Sequence, residues 1–470
     1  MKLPIIGSFN TSDSINVDAQ KTVNWYLEKS PNGRNAAALY PTPGSSLFTT
    51  VGVGPIRAIE TFNDLLYVVS GQEFYEVDTS GISVLKGTLS STGTSISMAV
   101  GQDSLMIVDG VKGYIWDGAT FSEITDVDFP NGADQVIFIE GYFVVNDPYN
   151  TQGLNINGSF FWSDLRDGTS WTGTSFATAE RDPDKLLAIE KSHRELWLFG
   201  ETSTEIWSNT GGYPVFTPVG SGYSEWGIAA KNSAARVDQT MIWLSKNEYG
   251  EGQVVQARGY DPKIISTKAV TAEFSKYSTL EDAFSFVLQW KGHTWYVLTF
   301  PTAAATWVYD NTEGVWFEWE SWNIGRLRYS SRTLFDKKQC MGDYVSGKIY
   351  YLDADLYTED GSIIERVRRT SHFFSDKRHL FYNAVEIELE YGTSGNVDGQ
   401  VMLRWSDDYG HTWSNEYWKP VGKIGEYSRR LIWRRLGYAR DRVFEVRITD
   451  PIKPVLISGY IDARQSGREL

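Results

Sequence analysis

The chain has one cysteine, Cys340, among 470 residues. That excludes an intrachain disulfide framework and a cysteine-rich zinc site. Histidine is scarce as well. His193, His293, His372, His379 and His411 show neither His-x-x-x-His nor Glu-flanked spacing, so no metal is expected. No apolar run approaches the roughly 18 residues of a membrane-spanning helix, and Met1–Gly7 is too short an apolar stretch for a secretory signal. These absences predict a soluble chain made in a reducing compartment. Helical periodicity is also thin, with Glu273–Phe286 the best candidate. There is no Gly loop to cradle a phosphate and no Gly-x-Ser-x-Gly elbow, so no cofactor is expected.

Positive charge is in short supply. The net charge is −15, unevenly placed: residues 362–470 carry +3 and residues 1–361 carry −18. An acidic body with an Arg-dominated tail predicts two domains. It argues against sequence-specific DNA binding, which needs a basic face to neutralise phosphates.

What the chain has in plenty is aromatic residues and glycine. Aromatics make up 14%, with 18 Trp and 26 Tyr, and there are 43 Gly against 15 Pro. Aromatics fill flat sheet faces and Gly supplies tight turns, so the composition is all-β. Leu65–Asp78 is an apolar run, a turn at Ser70–Gly71, and an alternating run ending in Asp. That is a β-hairpin pattern. It returns at Leu105–Asp117, Tyr142–Trp162, Leu196–Trp207, Met241–Ala257, Trp295–Asp310 and Met341–Asp353, with starts roughly 37 to 54 residues apart. Propeller blades repeat at about 40 to 50 residues. A lone hairpin is marginal in water, so such units need ring closure. The reading is a β-propeller of about seven blades, six to eight, over residues 55–361.

Residues 1–54 form an N-terminal arm. Trp25 and Tyr26 are too costly to leave in water, so the arm is read as ordered and the pair as interface candidates. Val23–Leu27 is the candidate for a strand that closes the ring. Beyond Asp360-Gly361 the strands lengthen. Val385, Ile387 and Leu389 alternate with Glu386, Glu388 and Glu390, and Phe444, Val446 and Ile448 alternate with Glu445 and Arg447. Period two over long strands predicts an antiparallel β-sandwich over residues 362–470.

Ser406, Asp408, Gly410, Thr412 and Trp413 fit the Asp-box pattern Ser-x-Asp-x-Gly-x-Thr-Trp. Physically this is a self-capped hairpin turn: Asp accepts backbone N–H bonds, Gly takes the unusual dihedral, and Trp packs beneath. Similar boxes recur in sialidase propellers, one per blade, but one clear box stands here, outside the propeller. Acidic pairs such as Asp182/Asp184 and Asp353/Asp355 sit in turn contexts, which leaves a glycosidase-type carboxylate pair open. The most pointed stretch is Arg429–Arg440. Alternation sends Arg430 and Arg434 to the face opposite Trp433, while Arg435 shares Trp433's parity unless it lies past the strand's end. Either the arginines are a solvated face with stems over apolar surface, or Arg430, Arg434 and Arg435 are interface anchors for an acidic partner.

Two regions carry a family likeness. One is Asn24-Trp25-Tyr26 with Tyr40-Pro41-Thr42-Pro43-Gly44. The other is Arg430-Leu431-Ile432-Trp433-Arg434-Arg435-Leu436-Gly437 with Val455–Gly459. With size and domain order, these make the chain resemble the tail-hub, or nozzle, proteins of P22-like short-tailed bacteriophages, the packaged DNA stabilisation family. The resemblance implies a virion tail protein, assembled in the host cytoplasm, without enzymatic activity. It implies a homohexameric ring below the portal and its adaptor ring protein, with a needle or plug at the tip and tailspikes or fibres nearby. The ring would retain packaged DNA and pass it on ejection, and an acidic lining that does not hold phosphates suits a conduit. The competing reading, prompted by the Asp box and abundant Trp, is a carbohydrate-binding, sialidase-like or other glycoside-hydrolase propeller.

Overall fold

A computed structural model describes the chain except residues 31–32, 94–95, 149–157, 180, 183, 376–377, 391–397 and 466–470. The loop of the Tyr142–Trp162 hairpin lies in part outside the described residues.

The recurring hairpin is the middle of a blade. Its apolar first arm is buried on both faces: every residue of Leu105–Val108 and of His293–Phe300 is buried. A strand covered on both sides reads as a continuous apolar run rather than an alternating one, which is why Leu-Leu-Tyr-Val-Val stands out at residues 65–69. An inner strand precedes each arm through a tight turn. Asn63 and Asp64 both have positive φ, as do Asp336 and Lys337, the backbone that two-residue hairpins of right-handed twist require.

Seven four-stranded antiparallel units result among the described residues, five as separate sheets and two as parts of larger sheets, with inner strands Ile56–Phe62, Ser97–Val100, Val136–Ile139, Leu186–Ser192, Ala235–Val237, Phe284–Trp290 and Tyr329–Phe335. Seven apolar clusters fill the gaps between successive sheets and return to the first. The ring is therefore closed by packing all the way round, as a radial array of sheets must be to hide its edges. Side chains lace neighbouring inner strands: Ser330 Oγ donates to the Ile56 carbonyl at 2.7 Å, and Gln135 bonds both Ile189 and Lys231.

The outer place in the seventh sheet belongs to Gly44–Thr50, paired with Lys348–Asp353. Val23–Leu27, the strand suggested by the sequence, does not close the ring. Gly44 fits because a Cβ there would lie 2.4 Å from the Leu356 carbonyl oxygen. The stretch Glu273–Phe286 is not a helix either. The one α-helix among the described residues is Lys268–Phe274, capped by Thr267. Phe284–Trp290, with Phe, Val and Trp at strand spacing, becomes an inner strand.

The second body is a β-sandwich assembled from both ends of the chain. One sheet runs, in spatial order, Trp25–Lys29, Ala37–Pro41, Leu456–Gln465, Leu380–Leu389 and Leu431–Arg434. The other holds Ala19–Val23, Arg366–Arg369, Asp441–Ile448, Gln400–Ser406 and Tyr417–Pro420. Their inward residues, among them Trp25, Val385, Trp433, Phe444 and Ile461, form one core. Ala19–Val23 also touches the sixth blade, where Val23 pairs in parallel with Glu318. The sandwich is thereby joined to the propeller through sheet hydrogen bonding.

Candidate assembly surface

The Arg-rich tail is divided between the interior and the surface. Arg366, Arg368 and Arg442 are among the largest fully buried side chains. Arg368 donates to the carbonyls of Ile5 and Ser8 and to the side chains of Gln20 and Thr22, tying the N-terminal segment to the sandwich. Arg442 grips Asp407 through two nitrogens at 2.6 and 2.8 Å. Arg369, Arg404 and Arg447 converge on Glu445. Although burial raises the Glu445 carboxyl, these arginines outweigh it and hold the group below its usual range. A buried carboxylate needs such partners, since leaving it alone in low dielectric is very costly. Much of the basic excess read in the sequence is thus internal wiring.

The Asp box is wiring of the same kind. Asp408 Oδ1 accepts from the Thr412 N–H at 2.8 Å and from Ser406 Oγ at 2.7 Å, and Oδ2 accepts from Thr412 Oγ1 at 2.6 Å. These bonds, Thr412's first, hold the Asp408 carboxyl well below the usual carboxylate range. Gly410 sits at φ +103° and donates its N–H to Ser406 Oγ. The guanidinium groups of Arg369 and Arg404 lie over the Trp413 ring, 4.7 and 4.8 Å from its centre. Both carboxylate oxygens are used within the turn.

Trp25 and Tyr26 are inside the subunit. Trp25 is fully buried and donates Nε1–H to the Pro454 carbonyl at 2.8 Å. Tyr26 packs edge-on to Trp295 and His293 of the sixth blade. Neither side chain is available to a neighbour, so as interface candidates they are corrected to seam residues. Two adjacent aromatics report burial, and nothing in them says whether their own chain or another provides it.

The arginine stretch divides. Leu431–Arg434 is a strand whose Leu431 and Trp433 are buried while Arg434 is exposed. Trp433 donates Nε1–H to the Tyr417 carbonyl of the facing sheet at 2.8 Å. Arg435 lies past the strand's end at φ +61° and is exposed. Arg430 is held by Glu386 in a two-pronged pair at 2.7 and 2.6 Å. That bond keeps the Glu386 carboxyl below its usual range. Arg34 similarly meets Glu388 at 3.2 Å.

Cross-strand register brings further residues beside Arg434 on the outer face. Phe381 lies opposite both Tyr438 and Arg464, and Ala384 lies opposite Arg434 and Asp462. Phe381 and Tyr438 are in ring contact at 5.8 Å, and His379 meets Tyr438 at 5.3 Å. Arg434 and Tyr438 fall within the stretch singled out in the sequence, but Phe381 and Arg464 come from strands far from it in the chain and are brought there by register.

Among the inner strands and the segments leading into them lies a cavity of about 440 Å³ lined from all seven blades, with Arg57, Glu60, Gln135, Glu190, Lys231 and Arg332 on its wall. Burial raises the carboxyls of Glu60 and Glu190. Its wall carries groups of both signs. Among the described residues no three His, Cys, Asp or Glu side chains stand close enough to hold a metal ion.

Comparison with curated proteins by sequence gives no match. Among solved structures, the N-terminal domain of Nup159 is 10% identical, with 71% of this chain and 99% of that one covered and a TM-score of 0.42. The Pan2 WD40 domain of Neurospora crassa is 8% identical, with 66% and 94% covered and a TM-score of 0.43. PorZ of Porphyromonas gingivalis is 12% identical, with 79% and 46% covered and a TM-score of 0.38. Family models span nearly the whole chain: "Bacteriophage P22 Gp10, beta-propeller" matches residues 1–357 and "Bacteriophage P22 Gp10, beta-sandwich" matches residues 365–464. The chain belongs to the bacteriophage P22 Gp10 family, a family of phage tail structural proteins.

Proposed function

We propose that this protein is the ring-forming nozzle of a short phage tail, seated below the portal and its adaptor ring. It retains packaged DNA and forms the conduit through which DNA leaves. Six copies form the ring, the tip takes a needle or plug, and tailspikes or fibres attach nearby. The ring assembles in the host cytoplasm and performs no chemistry. As a working division, residues 1–54 are an arm, 55–361 the propeller and 362–470 the sandwich.

The observation that carries this reading is the join between the two bodies. A strand of the N-terminal segment is hydrogen-bonded both to the sixth blade and to the sandwich. Such a subunit transmits load between its two ends, as a collar under a pressurised genome must. The acidic body supports passage of DNA, since like charge keeps phosphates from binding the wall. The carbohydrate-active alternative rested on the Asp box and the abundant Trp; the box's carboxylate is engaged inside a sandwich turn, and many of the Trp side chains are buried in the core. The test is the stoichiometry of the purified chain mixed with the portal-adaptor complex. The proposal expects a closed ring of six copies on the adaptor; a chain that never joins it refutes the role.

A further inference from the structure

The outer face of the sandwich exposes arginines and aromatic rings together. Arg434, Arg435, Arg440 and Arg464 are all exposed, and none makes an ion pair among the described residues. Arg430 and Arg34, by contrast, are matched by Glu386 and Glu388. The same face exposes two large apolar rings, Phe381 at 47% and Tyr438 at 59%, paired with each other across the ladder, and Arg434 lies opposite Ala384 of the Phe381 strand. Arg464 stands directly across the ladder from Phe381. Exposed aromatics rimmed by arginine are the composition of interface hot spots, where a ring supplies area and the guanidinium pairs with a carboxylate.

We infer that this patch docks onto the acidic propeller of a second copy of the chain. The inference rests on the proposed ring and names the surface that builds it. Charge chooses the occupant. Residues 55–361 carry −19, so the propeller of a neighbour offers carboxylates to arginines that make no ion pair of their own. Two patches meeting each other would set arginine against arginine, which disfavours a two-fold pairing. A contact between different surfaces is head-to-tail, and such contacts generate rings when the rotation closes. Arg430 takes no part, since Glu386 already satisfies it. Trp433 acts only from beneath, by holding the sheet that presents the patch.

The test uses the full chain and two double variants, Arg434→Glu with Arg464→Glu, and Phe381→Ser with Tyr438→Ser. Association is followed by sedimentation across a concentration series at low and high salt, with a thermal melt of each protein. Both variants should melt like the parent yet need about tenfold or more protein to associate. The parent's association should weaken with salt, and the charge variant should lose that salt dependence. Arg434→Lys with Arg464→Lys should associate nearly as the parent does.

Variants that associate like the parent overturn the inference. So does a parent that stays monomeric to about 100 µM. A labelled DNA duplex that binds the parent but not the charge variant, with association unchanged, would assign the patch to nucleic acid and equally overturn it. Rings that form on the adaptor from all the variants would leave the tail role standing and withdraw only this surface.

Discussion

The side-chain amide of Asn24 pairs with both backbone polar groups of Glu320: its Oδ1 accepts the Glu320 N–H at 2.9 Å and its Nδ2 donates to the Glu320 carbonyl at 3.0 Å. Nδ2 also donates to the Glu365 carbonyl at 2.7 Å, and the Asn24 N–H donates to the Glu318 carbonyl at 2.9 Å. One residue thus binds the N-terminal segment, the end of the sixth blade and the entry to the sandwich. It is 1% exposed and sits at φ +58°, a conformation that asparagine tolerates better than most.

Asn24→Ala should lower stability by about 3 to 5 kcal/mol, because it strands buried peptide groups and adds backbone strain. Asn24→Gly relieves the strain but not the lost bonds, so it should fall about 1 kcal/mol short of the alanine loss. Denaturant melts of the two variants decide this. Equal melts for Asn24→Ala and the parent would show that the amide does not hold the seam.

His372 donates from both ring nitrogens, Nδ1 to Asp441 at 2.9 Å and Nε2 to the Ile15 carbonyl at 2.7 Å. Both partners are acceptors, so the ring must carry two protons. The Asp441 bond raises its pKa foremost; burial opposes, and the Ile15 bond and the nearby Asp18 charge add to the rise. A histidine raised above its unfolded value contributes stability that is whole below about pH 6.5 and is lost as pH rises through the folded pKa. The parent should therefore lose more stability than His372→Gln between about pH 6 and pH 9. His293, raised by Asp310 against burial, acts in the same direction in both proteins and cancels in the comparison. Identical pH profiles would contradict the assignment.

Asp408→Ala removes three hydrogen bonds from the Asp-box turn and should lower stability by about 1 to 3 kcal/mol. Gly410→Ala, at φ +103°, should also destabilise by about 1 kcal/mol or more. No turnover should be lost in either variant. Glycosidase or sialidase activity in the parent that disappears with Asp408 would overturn the structural role of the turn.

Neighbouring residues 433 and 434 should behave oppositely. Trp433→Ala empties a buried site and frees the Tyr417 carbonyl, at about 3 to 5 kcal/mol. Arg434→Ala leaves an exposed position and should keep the melting temperature within about 1 °C. Comparable melting shifts for the two would contradict the placement of Trp433 in the core.

The propeller was legible because its signal is local. Each second strand is an apolar run flanked by turn residues, repeated near one blade length. The sandwich was half legible: alternation in Val385–Leu389 places the right side chains inward. Hidden were the pairings that cross most of the chain, such as Lys2 with Tyr460 and Lys21 with Arg369. Short strands like these carry no local mark of their partner. The same limit applies to the patch. Arg434 was visible by parity, but its neighbours Phe381 and Arg464 are set by register between strands. The helical reading of Glu273–Phe286 failed because apolar residues of an inner strand and a preceding helix run together in one window.

The proposed role requires the chain to form a ring around the exit path of the genome. The direct measurement is an image reconstruction of tailed particles at the portal vertex. The account predicts propellers and sandwiches of this chain in a closed ring on the axis below the adaptor, with DNA ending inside. Density for this chain elsewhere in the particle, or its absence from the particle, would contradict it.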